Sequence, residues 1–289
     1  MNYIPNERAT PIRQPSTANL MIDSVDRDAN TDSPWDFQIT KQYSILNGFF
    51  TRVGTTEVVL EWCQPNITAL ADNNQISFDI SGVGGNTYTG NQTVTMPSGN
   101  YTVAQALTLL CQKLTDLSGT TGCAFSTGVP PGSALVAIIC VGGKFRANPV
   151  GKLATQLGLA SGTSLSAIQS IICPDLRPYR YIDFTSSQLT YNQDVKDSSS
   201  AVTVRDVLCR WYFDWDTPPQ LDSLGFPILM GYTPFYVRRL FNPPKQIKWN
   251  NSQPIGNLAF QVYGDDGNLI WYSIVFESNW LMTLQVSEV

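Results

Sequence analysis

The chain has 289 residues, a formal net charge of −5 and only 14% Asp, Glu, Lys and Arg, against about 25% in ordinary soluble domains. That length allows one large all-β domain or two smaller ones, and the polarity rests on amides and hydroxyls rather than charge. Histidine is absent altogether, which excludes Ser-His-Asp and Cys-His catalysis, a histidine general base and histidine metal ligands, and leaves only carboxylate chemistry.

Residues 1–18 read as an extended polar arm with Pro5, Pro11 and Pro15, unable to build a core of its own. The segment lacks the apolar stretch of a signal peptide, and no run in the chain approaches the roughly 20 residues of a membrane span. Next, Asp26, Asp28, Asn30 and Asp32 place oxygen ligands at every second position, like the start of a calcium loop. Thr31 stands where that loop wants Gly and Phe37 where it wants Glu, so a polar turn before Trp35 is the competing reading, and no cofactor is expected.

Strands follow. Trp35, Phe37 and Ile39 alternate with polar residues, as do Val58, Leu60 and Trp62, and then Ile76, Phe78 and Ile80. Gly82, Gly84, Gly85 and Gly90 form a loop with neither the following helix nor the lysine of a phosphate-binding loop. The period then changes. Val103, Ala106, Leu107, Leu110, Leu114 and Leu117 fall on one helical stripe, and Thr102 and Gln105 have the spacing of a capping box. Strands are expected at Cys123 to Ser126 and Ala134 to Val141. A second helix is expected to open at Asn148-Pro149, bury Val150, Leu153, Ala154 and Leu157, and stop at Gly158.

The alternation resumes at Tyr179 to Thr185 and continues at Val204 to Phe213, Phe235 to Phe241 and Gln246 to Trp249. It closes with Leu258, Phe260 and Val262, and with Met282, Leu284 and Val286. Gln261, Tyr263, Thr283 and Gln285 fall on the polar faces of these last strands. Asp265-Asp266-Gly267-Asn268 reads as a hairpin turn. The predicted fold is mainly β: a single jelly-roll sandwich over residues 19–97 and 173–289, with a small α+β domain inserted at 98–172.

Few residues suggest chemistry. Asp214 and Asp216 could pair as glycosidase carboxylates, but two Asp leaving a strand for a Pro-rich loop more commonly face solvent. Trp211, Tyr212, Phe213 and Trp215 could stack on sugars, though alternating aromatics in a strand more commonly serve a core and an interface. The densest positive positions, Arg238-Arg239 and Lys245 to Lys248, make no strongly basic patch, so binding nucleic-acid phosphates is not the expected role. Cys63, Cys111, Cys123, Cys140, Cys173 and Cys209 form no close pairs, so buried free thiols are favoured over disulfides or a zinc site. The sequons at Asn66, Asn91, Asn100 and Asn250 are those expected of an Asn- and Thr-rich chain.

Four segments together resemble the penton or minor capsid proteins of virophage and polinton-like tailless icosahedral DNA viruses. They are LMIDSVDRD with WDFQIT (Leu20 to Thr40), PSGNYTVAQALTLLCQKL with LATQLGL (Pro97 to Leu114, Leu153 to Leu159), YRYIDFTSSQLTYNQDVKD (Tyr179 to Asp197), and PPKQIKW with GNLAFQVYGDDGNLI (Pro243 to Ile270). The resemblance implies a non-enzymatic virion protein that forms a homopentamer at a five-fold vertex among double-jelly-roll major capsid proteins. Minor capsid proteins and a host receptor or glycan, met through the insertion, are further implied partners. A cement protein of the same shell and a glycan-binding virion protein are the alternatives, and no catalytic residues carry over.

Overall fold

The computed structural model describes residues 17–28, 33–40, 52–81, 88–118, 122–127, 134–141, 144–148, 152–159, 167–170, 172–190, 197–198, 204–205, 207–213, 220–221, 227–228, 235–248, 256–271 and 278–288. Of the expected arm, only Thr17 and Ala18 fall within these residues, and they open the first strand.

The protein is mainly β. In chain order the first strands are β1 (Thr17–Asp23), β2 (Asp36–Thr40) and β3 (Arg52–Trp62). Then come β4 (Gln75–Ser81), β5 (Tyr88–Thr95), α1 (Val103–Ser118), β6 (Gly122–Thr127), β7 (Val136–Val141), β8 (Lys144–Asn148), α2 (Lys152–Gln156) and β9 (Ala167–Gln169). The chain returns through β10 (Tyr181–Thr185), α3 (Ser187–Thr190), β11 (Asp197–Ser198), β12 (Val204–Arg205) and β13 (Val207–Tyr212). It ends with β14 (Gln220–Leu221), β15 (Pro227–Ile228), β16 (Phe235–Leu240), β17 (Gln246–Lys248), β18 (Asn257–Gly264) and β19 (Trp280–Ser287).

Two antiparallel sheets carry the main core. One has the order β1-β19-β3-β16, with β17 continuing the β16 edge of β3, and the other has the order β13-β10-β18-β2. Their pairing follows one rule. The first long strand pairs with the last (β1 with β19), the second with the next to last (β2 with β18), β3 with β16, and β10 with β13. The chain therefore behaves as one long hairpin folded over on itself.

The alternation read from sequence is what joins the sheets. In β2, Phe37 and Ile39 are buried between exposed neighbours, and in β18 the buried set is Leu258, Phe260, Val262 and Gly264. These residues meet Val58, Leu60, Trp62, Trp280, Met282 and Leu284 of the other sheet in one apolar cluster. Trp280 lies at its centre, with ring centroids 5.4, 5.0 and 5.7 Å from Phe37, Phe184 and Phe260 of the facing sheet. Its indole N–H donates to the Pro34 carbonyl at 2.7 Å.

One polar position departs from the pattern. Thr283 is buried on the outer face of β19, beside a shift in the β19–β3 register between Thr283 and Leu284 that leaves Thr56 as the extra residue of β3. A bulge of this kind brings two successive residues out of strict alternation.

A second, separate cluster lies between β3 and β10 in the chain and holds the buried face of α1 against β4, β5, β7 and α2. The expected boundary at residue 98 falls inside this cluster, which already contains Ile67, Ile76, Phe78, Val94 and Met96. The β4–β5 hairpin has the same period as the sandwich strands, so period alone does not tell which core it enters.

The capping box forms as the spacing predicts. Thr102 Oγ1 accepts the Gln105 N–H at 3.1 Å, and Gln105 Oε1 accepts the Thr102 N–H at 2.9 Å. Ala106, Leu107, Leu110 and Leu114 are buried, whereas Leu117, expected on the same stripe, is 47% exposed in the last turn. The second helix opens later than predicted. Asn148 ends β8, paired with Ser77, and the helix begins at Lys152.

At the far end of that helix, Gly158 has φ +67°. Its N–H bonds the Thr155 carbonyl and the Leu159 N–H bonds the Ala154 carbonyl, so the stop is a Schellman motif.

Candidate interaction surfaces

Among the described residues, the carboxylates singled out in the sequence are not gathered into one site. Asp26 ends a 3-10 turn, Ser24–Asp26, and is exposed. Asp28 accepts the Thr40 N–H at 3.3 Å and gives its own N–H to the Gln38 carbonyl, so it is tied to the β2 backbone. Asn30 and Asp32 lie outside the described residues, as do Asp214, Asp216, Trp215, Gly82, Gly84 and Gly85. Among the described residues no group of three or more His, Cys, Asp or Glu is arranged to hold a metal ion.

Asp265 to Asn268 form the expected turn. Gly264 N–H reaches the Asn268 carbonyl at 2.8 Å, Gly267 takes φ +88°, and Asp266 Oδ1 accepts the Asn268 N–H. Gly264 is required by packing, since a Cβ there would lie 2.3 Å from the Tyr179 ring.

The aromatic run divides between two faces of β13. Trp211 and Phe213 are buried in the main core, while Tyr212 points outward at 53% exposure. Tyr212 and Tyr181 flank Arg210, whose guanidinium lies 4.0 Å over the Tyr181 ring. Arg210 Nε and Nη2 bond both carboxylate oxygens of Asp183, at 2.7 and 2.9 Å. Asp183 is fully buried although it lies on the outward side of β10, and its hydrogen bonds hold Arg210 above the ordinary arginine range. Nothing in the local sequence announces this pair, because the two residues are 27 positions apart and meet only through the β10–β13 register.

A cleft of about 350 Å³ opens between β13 and the β16–β17 edge, lined by Thr55, Cys209, Arg210, Tyr212, Phe241 and Lys245. Two cations stitch the sheets together beside it. Lys245 Nζ donates to the Val207 carbonyl at 2.8 Å, and Arg239 Nη1 donates to the Tyr212 carbonyl at 2.6 Å. Burial pushes the Cys209 thiol up to about 12, and the Asp183 charge adds to that while Thr55 and Lys245 oppose it.

Cys63, Cys111, Cys173 and Cys209 form no disulfide. Cys173, read from its apolar run as buried, is exposed, as is Ile172 before it. Cys123 and Cys140 stand opposite one another in the β6–β7 register.

Two sequons also find a structural use. Asn66 is buried, and its amide bonds the Tyr101 backbone at both Nδ2 and Oδ1, while Asn100 Oδ1 accepts the Asn66 N–H. Asn73 extends this network to Asn66, Thr68 and Gln156. These bonds anchor the entry into the second core and leave the Asn66 amide inside the protein.

The most exposed apolar side chains of the main sheets lie on edges. On one edge of the β1-β19-β3-β16 sheet, Met21 is 70% exposed, and Val25 just beyond it 62%. On the opposite edge Tyr236 is 73%, Val237 40% and Leu240 63% exposed. Consecutive residues of β16 point to opposite faces, so Tyr236 and Val237 present exposed apolar surface on both sides of this strand.

No family model matches the chain, and no curated protein is similar to it in sequence. Its fold is similar to that in a crystal structure of the selenomethionine-labelled mavirus penton protein, with a TM-score of 0.53 at 13% sequence identity. That likeness covers 96% of this chain and 100% of the other, so it includes both cores. At this identity the likeness is one of fold.

Proposed function

We propose that the chain is a structural capsid protein that assembles as a homopentamer at the five-fold vertices of an icosahedral virion, among double-jelly-roll major capsid proteins. The observation that carries the proposal is the end-to-end likeness in fold to a penton protein. A match confined to the sandwich would be shared by many virion and lectin domains. This one extends through the second core.

The strand pairing supports reading the sandwich as a jelly roll. A single long hairpin, folded so that first pairs with last and third with sixth, gives the two four-stranded orders seen here. The second core is then an insertion between the third and fourth strands of the roll. We place its beginning near Ile67 rather than residue 98, because the β4–β5 hairpin packs into it.

Low charge supports the assembly reading as well. Covering amides and hydroxyls at a subunit contact costs less desolvation than covering charges.

Native mass spectrometry and negative-stain electron microscopy of the purified full chain test the proposal. The expected result is a ring of five that incorporates into shells when co-expressed with a double-jelly-roll capsid protein. A trimer, or a chain lying beneath the shell away from the five-fold axes, would identify a cement protein instead.

A further inference from the structure

We propose that in this ring the β1 edge of one copy seats against the β16–β17 edge of the next; the inference rests on the pentamer reading and names the surfaces that close it. A cyclic pentamer is built from a heterologous contact, in which two different patches of the same chain meet. Those patches must lie well apart on the protomer and must complement one another. Opposite edges of a single sheet meet the first condition, and here β1 and β16 are the two outer strands of one sheet.

Charge and apolar surface meet the second. The β16–β17 edge gathers Arg238, Arg239, Lys245 and Lys248, of which Arg239 and Lys245 also bond carbonyls of β13, with Arg52 opposite Lys248 on the neighbouring strand. Glu57, which pairs with Arg238, and Glu61 offset part of this charge. The edge remains cationic within a chain whose formal net charge is −5.

The β1 edge carries Asp23 and Asp26, with Arg27 turned back to the Ser24 carbonyl. Two β16 edges brought together would oppose cation to cation, whereas the β1 edge offers the opposite sign. Each edge also exposes large apolar side chains, Met21 and Val25 on one and Tyr236, Val237 and Leu240 on the other. Exposed apolar residues on an unpaired strand edge invite pairing with another chain unless an assembly covers them.

The test uses charge exchange in the full chain, read by native mass spectrometry. Tyr236→Asp with Leu240→Asp gives the cationic edge acidic groups, and Met21→Lys with Val25→Lys gives the acidic edge basic ones. All four side chains are exposed, so each variant retains the fold, as its thermal unfolding midpoint checks. Each pair alone is expected to turn the ring into single chains of 31.9 kDa. All four changes in one chain are expected to restore the ring, because Asp and Lys then face one another across the contact.

A ring that survives both paired variants overturns the edge assignment and leaves the pentamer standing. Failure of the fourfold variant to re-form the ring overturns the pairing of these two edges with each other. A wild-type chain that remains monomeric removes the pentamer and this inference with it.

Discussion

Asp183 and Arg210 face each other across β10 and β13 as a two-bond ion pair that closes over a carboxylate with no solvent exposure. Breaking such a pair from one side leaves an uncompensated buried charge. Arg210→Ala is therefore expected to destabilise the sandwich by about 3 kcal/mol or more in urea titration. Asp183→Leu combined with Arg210→Met should cost less than Arg210→Ala alone, since it removes both charges and keeps the volume. If the double change is the more damaging, the pair is not what makes this position sensitive.

Trp280, from one sheet, packs its ring against Phe37, Phe184 and Phe260 of the other. Trp280→Phe keeps most of the aromatic contact but orphans the Pro34 carbonyl, at an expected cost of about 1–3 kcal/mol. Trp280→Ala empties the centre of the core, at about 3–5 kcal/mol. Near-ultraviolet circular dichroism and chemical denaturation separate the two, and a loss of less than 1 kcal/mol for the alanine change, roughly the cost of one methylene, would contradict the central placement.

The capping box of α1 predicts a small and local effect. Thr102→Ala should lower stability by about 1 kcal/mol, and Thr102→Asp, which keeps the accepting oxygen, by much less. Hydrogen exchange in the first turn of α1 should rise in the alanine variant while exchange in β18 and β19 stays unchanged.

Cys209 sets a pH dependence. Its thiol is raised by burial from an ordinary value of 9.0 to about 12, so the folded state holds the proton more tightly than the unfolded state. The stability linked to this group is whole below pH 9 and is lost as the pH climbs from 9 towards 12. At pH 8, iodoacetamide is expected to label exposed Cys173 rapidly and to spare Cys209 until the protein unfolds. Equal rates at the two positions, read by peptide mass spectrometry, would refute the burial of Cys209.

Several features are legible in the sequence because they depend on neighbours in the chain. Phe37 and Ile39, or Leu258, Phe260 and Val262, announce their buried face by a period of two, and Thr102 with Gln105 announces a helix start by spacing alone. The Asp266-Gly267 turn and the Gly158 stop belong to the same class, since each is decided by the backbone freedom of a few consecutive residues.

The surfaces belong to another class. Arg52 and Lys248 are separated by nearly the whole sandwich in sequence and become neighbours only when β17 pairs with β3. Asp183 reads as an outward polar residue until Arg210 covers it. Thr283 reads as polar surface, yet the fold buries it on the outer face of β19.

The sequence by itself determined the buried faces of β2, β18 and β19, the start of α1 and the turn at Asp266-Gly267, and that the chain is mainly β without histidine chemistry. Only the tertiary structure decided which core the β4–β5 hairpin joins, which carboxylate is buried and which charges share an edge. The physical reason is that periodicity and capping are set within a few residues of the chain, whereas strand pairing brings together residues whose separation no local rule encodes.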